Sequence, residues 1–222
     1  MIKSFSIILS VVFSALLVAQ VQKEPTYLDI LREKVSRVEP ARRSQNKEQL
    51  SQLSAEFLEL ATTEKKDWLP YYYASYLLIL KGQILVQENK NNEIEDVAYY
   101  AQKPLYEAKK LSPDNAEILV LQKLIYQLEK HLKPSQIYQN GGPMAVQLVS
   151  QMRQKFPKNP RVTLLIGEDL MLTPKQFGGD PEKGIEQLRK ALEQFKTFKP
   201  ESSLHPNWGK EIAEKLLLDA KK

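Results

Sequence analysis

The chain has 222 residues, no cysteine and a formal net charge of +5. The lack of cysteine excludes disulfides, thiolate metal sites and a lipid anchor attached to an N-terminal cysteine. Basic residues are dispersed among acidic ones, which argues against nucleic acid as a partner. A chain of this length can bury a core without covalent crosslinks.

The first 19 residues form a predicted signal peptide. Lys3 is their only charge, and an apolar run from Phe5 to Val18 follows, interrupted by three serines. The run is short for a membrane span and has the layout of a secretory signal cleaved near Ala19. We therefore expect a periplasmic or secreted protein without stable membrane insertion after cleavage. An uncleaved N-terminal anchor is the alternative.

Apolar residues at helical spacing predict four helices in the first half of the mature chain. We expect the first to end before Pro40 and the third to be capped by Asp67. Pro104 predicts a kink or a late start in the fourth. The predicted helices cover residues 26–38, 48–62, 68–87 and 94–111.

Five further helices are predicted in the second half, with a proline or a glycine near most of their ends. Asp114 and Glu117 resemble a capping box, and Asn159 and Asp180 stand at N-cap positions before a proline. We expect no strand, because no run alternates apolar and polar residues. The predicted helices are 116–131, 144–156, a pair within 159–195, and a last helix at about 206–220.

The helices are expected to pair as hairpins that each bury one face against a neighbour. Small residues recur where the helices of a tetratricopeptide unit cross, and Gly167 and Gly184 occupy two such positions. The loop around 134–143 lengthens one unit beyond the usual period of about 34 residues. The predicted fold is all-α, an α–α superhelix of about four helical pairs plus a C-terminal capping helix. It forms one domain over residues 20–222.

Four segments of the chain also resemble a family of exported tetratricopeptide-like proteins from Bacteroidetes-type bacteria. They are WLPYYYASY, NPRVTLLIG, TPKQFGGDPEKGIEQLRKALEQF and HPNWGKE, beginning at residues 68, 159, 173 and 205. The resemblance implies an α–α superhelix and export. It brings no catalytic residue with it.

An aromatic cluster at the start of the third helix is the predicted binding surface. Trp68, Tyr72 and Tyr76 share one helix face by i+4 spacing, and Tyr71 lies beside them. Tyrosines 99, 100 and 106 are added by the next helix. Tyrosine combines an apolar ring with a polar hydroxyl, which suits recognition of peptides or small molecules. Core packing is the alternative role for most of these rings.

No arrangement typical of catalysis, metal binding or cofactor binding is present. His131 and His205 are the only histidines, and both are expected at helix ends in a solvated or capping role. Glu168 and Asp169 are adjacent, so we expect one to face solvent and the other to pair locally. The Gln176–Asp180 loop is expected to be a tight turn with its phenylalanine packed beneath it, and an anion site there is the alternative.

The leading functional prediction is a non-enzymatic exported adaptor that binds a protein or peptide on its concave surface. Trp68, Tyr71, Tyr72 and Tyr76 would anchor that partner. The alternative is a periplasmic small-molecule carrier or a transporter-associated ligand-binding component, which needs an enclosed apolar pocket with a few polar groups rather than an open groove. An enzyme is a third possibility, and it would need Glu168 or Asp169 to meet His131. The sequence indicates no cofactor and leaves the oligomeric state open.

Overall fold

The computed structural model describes residues 24–132 and 142–220, and within them the fold is all-α without a strand. The predicted all-α fold class is confirmed. The predicted signal peptide and most of the predicted loop around 134–143 lie outside the described residues. The helices are α1 (Tyr27–Ser44), α2 (Lys47–Thr63), α3 (Leu69–Gln87), α4 (Asn91–Leu111), α5 (Ala116–Glu129), α6 (Gly142–Lys155), α7 (Pro160–Leu172), α8 (Pro181–Thr197) and α9 (Lys210–Asp219).

Side-chain caps fix the beginnings of several helices. The Thr26 hydroxyl and the Asp29 carboxylate form a reciprocal capping box at α1. Asn159 and Asp180 accept backbone N–H groups at the starts of α7 and α8, which confirms both predicted N-caps. Asn115 caps α5 instead of the predicted Asp114, because its side chain accepts the N–H of Glu117.

Three predicted helix boundaries are wrong. Helix α1 continues through Pro40 to Ser44, and burial of Ala41 in the core offsets the hydrogen bond that proline removes. Helix α4 starts at Asn91, earlier than predicted, and contains Pro104 in its interior. Helix α9 starts only at Lys210, because Gly209 takes a left-handed conformation before it.

Helix α3 lies at the centre of the main core. It packs against α2 on one side and α4 on the other, and it also touches α1 and α5. Nearly every residue between Leu69 and Ile79 is buried. A helix that is apolar around its circumference must be covered on all sides, which explains its central position.

Helices α7 and α8 form a tight hairpin at the C-terminal end, and α9 packs on α8 as the predicted cap. The hairpin crosses at Gly167 and Gly184. A Cβ atom at Gly184 would lie 2.8 Å from the backbone N of Met171 and 2.9 Å from the carbonyl oxygen of Gly167. The predicted role of both glycines at the helix crossing is therefore confirmed. None of the helices in the described chain is long and apolar enough to cross a bilayer.

Candidate ligand groove

A groove of about 580 Å³, open to solvent, runs between α2, α3 and α4. Its volume lies within the range of sites that hold drug-sized ligands. Most of its lining is apolar or aromatic. The residues that give it this character are Ala55, Leu58, Tyr71, Leu78, Tyr100, Pro104 and Tyr106.

The helical periodicity of the three walls places these side chains. In α2, Leu53, Phe57 and Leu60 turn into the core, which leaves Ala55 and Leu58 exposed toward the groove. In α3, Tyr71 and Leu78 are seven residues apart and therefore lie on one face. Both are only partly buried, unlike most of their neighbours on that helix.

Helix α4 presents exposed aromatic rings along the other wall. Tyr99, Tyr100 and Tyr106 are each more than half exposed, although tyrosine is a large side chain. Tyr99 and Tyr100 meet edge to face with centroids 5.5 Å apart. Two of these three rings, Tyr100 and Tyr106, line the groove itself. Aromatic surface left uncovered beside an apolar groove is a common feature of binding sites.

The charges around the groove are unevenly paired. Among the described residues that line the groove, Glu107 is the only acidic one, and it accepts a hydrogen bond from Lys110 at 2.8 Å. That hydrogen bond raises the pKa of Lys110. Lys103 also lines the groove, and its Nζ lies 4.3 Å from the ring centroid of Tyr99 and 5.1 Å from that of Tyr100. These distances fit cation–π contacts.

The structure divides the predicted aromatic cluster between core and surface. Tyr72 and Tyr76 are buried, with the Nε1–H of Trp208 donating to the Tyr72 hydroxyl at 2.9 Å. The Trp208 ring stacks on Tyr76 with centroids 5.0 Å apart. Burial raises the pKa of Tyr72. Of the four residues predicted to contact a partner, only Tyr71 lines the groove, while Trp68 is half-buried elsewhere.

A second pocket of about 380 Å³ lies over a buried ion pair between α5 and α7. Arg161 donates to Glu117 through Nε at 2.5 Å and through Nη2 at 2.8 Å. Its Nη1 donates to the Trp208 carbonyl at 3.0 Å, and the Phe198 ring covers the guanidinium at 4.7 Å. Burial opposes the charge of Arg161, but the neighbouring carboxylate raises its pKa overall. With every arm of the guanidinium engaged, this pair serves the packing of the C-terminal segment.

The other residues considered for chemistry take structural roles. Glu168 and Asp169 both contact α5, where Gln127 donates to Glu168 at 3.1 Å and Lys123 to Asp169 at 2.7 Å. Both residues are half-buried, so neither simply faces solvent as expected. Burial raises the pKa of Glu168 and lowers that of Lys123.

Neither histidine joins a cluster of metal-binding side chains in the described part of the chain. Nδ1 of His205 lies 2.8 Å from the Ser202 hydroxyl, and Nε2 lies 3.2 Å from Glu201. His131 is exposed just beyond the end of α5. In the predicted tight turn, Gly178 adopts a left-handed conformation. Phe177 is largely exposed there, so the expectation that its ring packs beneath the turn is wrong.

Comparison with solved structures finds a protein of similar fold. The chain is similar to the HusA haemophore from Porphyromonas gingivalis, with a TM-score of 0.75 and 24% sequence identity. The match covers 88% of this chain and 93% of that chain. At this identity the similarity shows a shared fold. No protein-family model and no curated protein matches the chain significantly, so its place in an exported tetratricopeptide-like family stays a prediction.

Proposed function

We propose that this protein is an exported, non-enzymatic carrier that binds a flat apolar molecule of the porphyrin class in the α2–α3–α4 groove. The observation that carries the proposal is a groove of suitable size whose walls are mainly apolar and aromatic. The groove is open to solvent, unlike the enclosed pocket that we expected of a carrier from the sequence. A flat ring system can lie against Leu58 and Leu78 and stack on tyrosine rings. The fold similarity to a protein named as a haemophore supports the same class of ligand.

The side chains of the groove suit a porphyrin better than a polar ligand. No histidine or methionine is among the groove-lining residues of the described chain. Tyrosine also coordinates haem iron in some proteins. Three tyrosines line the groove, namely Tyr71, Tyr100 and Tyr106. Contact with the ring faces would supply most of the affinity. We therefore expect iron-free protoporphyrin IX to bind as well as haemin.

The experiment is a titration of the purified protein with haemin and with protoporphyrin IX, followed by absorbance and fluorescence. Leu58→Asp places a carboxylate against the bound ring, and we expect it to weaken binding at least about tenfold because that charge is desolvated. Leu172→Asp is the matched control, because Leu172 is exposed at the end of α7 and does not line the groove. The proposal would be overturned if the protein binds neither compound. It would also be overturned if Leu58→Asp and Leu172→Asp change the affinity for porphyrin equally.

Binding of a protein or peptide partner is the second candidate, because three exposed tyrosines on α4 also suit a protein interface. Tyr99 separates the two functions, since it is exposed on α4 but does not line the groove. A carrier should keep most of its affinity for porphyrin after Tyr99→Ala, because that ring is not part of the groove lining. If the protein is instead an adaptor that uses the α4 surface, Tyr99→Ala should abolish capture of its partner. Porphyrin should then have no effect on capture by the unmodified protein.

A further inference from the structure

We infer that the ligand of the groove is an amphipathic anion, whose apolar ring lies on the tyrosine rings of the groove lining and whose carboxylate pairs with Lys103. This inference rests on the proposed carrier function and adds the charge of the ligand and the residues that select it. The inference follows from the position of lysine side chains without acidic partners, within the described chain, at the edge of a mainly apolar groove.

Lys103 is an exposed cation of the groove without an acidic partner. Its Nζ contacts the rings of Tyr99 and Tyr100, and it forms no ion pair with a carboxylate of the described residues. Glu107, one turn further along α4, is engaged by Lys110. The ammonium group is therefore held over aromatic rings at the edge of the groove and is free to bind an anion.

A second lysine lies beside the groove on the α2–α3 side, although it is not among the lining residues. Nζ of Lys81 donates to the hydroxyl of Ser51 at 3.0 Å, and Ser51 lines the groove. Lys81 is partly buried and also forms no ion pair within the described chain. Most other lysines that contact a polar side chain in this protein reach an acidic one, so the neutral partner of Lys81 stands out.

Lys103 in the groove and Lys81 beside it carry positive charge that no carboxylate of the described residues neutralises. An apolar molecule without charge would gain nothing from them. A porphyrin with propionate side chains would bury its ring and keep its carboxylates at the solvent edge, where lysine ammonium groups can hydrogen-bond them. Attraction of this kind also speeds association and weakens as salt screens it.

The test compares protoporphyrin IX with its dimethyl ester, which has the same ring but no charge. We expect the acid to bind the unmodified protein more tightly. Lys103→Met, which keeps the aliphatic stem, should weaken binding of the acid about two- to fivefold and leave binding of the ester unchanged. Lys81→Met should act in the same direction, and Lys103→Arg should restore most of the affinity for the acid.

Lys109→Met is the matched control, since Lys109 is exposed on the same helix but lies outside the groove. It should leave both affinities as they are. Equal binding of acid and ester, with no effect of Lys103→Met, would overturn the inference and leave the carrier function standing. If neither porphyrin binds, the carrier function itself is overturned, and the inference falls with it.

Discussion

Removal of the Glu117 carboxylate should destabilise this protein more than any other change of a single charge. Glu117 accepts three hydrogen bonds, two from Arg161 and one from Nδ2 of Asn159 at 2.8 Å. The Arg161 side chain is 0% exposed and that of Glu117 is 11% exposed. The pair joins α5 to α7, and Arg161 extends the connection to the backbone of Trp208.

The magnitude follows from the burial of the guanidinium. Glu117→Gln keeps the size of the side chain and removes its charge, so Arg161 stays buried without a counter-ion. Leaving a buried charge uncompensated costs about 3–5 kcal/mol of unfolding free energy. Replacing both partners, as in Glu117→Leu with Arg161→Met, removes the charge and the need to desolvate it. We expect the double variant to recover most of the loss.

Urea unfolding followed by far-ultraviolet circular dichroism measures these free energies. The control is Asp114→Ala, which breaks an exposed pair with Lys155 between the α4–α5 loop and α6. That exposed pair should contribute at most about 1 kcal/mol. The reasoning is refuted if Glu117→Gln lowers the unfolding free energy by less than about 1 kcal/mol. It is also refuted if the double variant is less stable than Glu117→Gln alone.

Three further predictions concern the fold. Gly184→Ala should destabilise by about 1–2 kcal/mol in thermal unfolding despite better helix propensity, because its Cβ meets backbone atoms. Gly82→Ala, which meets only the tip of a leucine side chain, should cost less, and the opposite order would contradict the crossing geometry. Tyr72→Phe should cost about 1–3 kcal/mol because the Nε1–H of Trp208 loses its acceptor, and an unchanged melting temperature would argue against that hydrogen bond. Hydrogen bonds from Arg37 and Lys34 lower the pKa of Glu56 to about 2. The ion pairs of Glu56 therefore stabilise the folded protein above the ordinary pKa of glutamate, and this contribution is lost as the pH falls toward 2. Glu56→Gln should lower the unfolding free energy by roughly 1 kcal/mol near neutral pH. It should also reduce the dependence of the unfolding free energy on pH in the acid range.

Much of the helical layout could be predicted because it depends on residues close together in the chain. The spacing of apolar residues indicated all nine described helices, and N-cap chemistry located Asn159 and Asp180. Prolines were less reliable guides. Pro40 and Pro104 both lie inside helices, because tertiary packing of the flanking turns outweighs the loss of one backbone hydrogen bond.

The groove could be predicted only in part. Tyr71, Tyr100 and Tyr106 belonged to the aromatic residues that the sequence singled out, and all three line the groove. The spacing of Tyr99, Lys103 and Tyr106 on α4 offers a visible pattern of aromatic residues and a cation. Its importance depends on whether an acidic residue neutralises the lysine. That question involves Glu107 and Lys110 on the same helix and also the side chains that α2 and α3 bring to the groove.

Local sequence was sufficient to predict which segments form helices, to identify the small residues where α7 and α8 cross, and to single out the aromatic residues of α3 and α4. Which aromatic rings belong to the core depended on contacts between distant segments. Helix α3 is apolar around its whole circumference, so its periodicity favours no face and cannot distinguish Tyr71 from Tyr72. The distinction comes from Trp208, which is 136 residues away from Tyr72 in sequence and covers its ring. Nothing in the described chain covers the groove beside Tyr71.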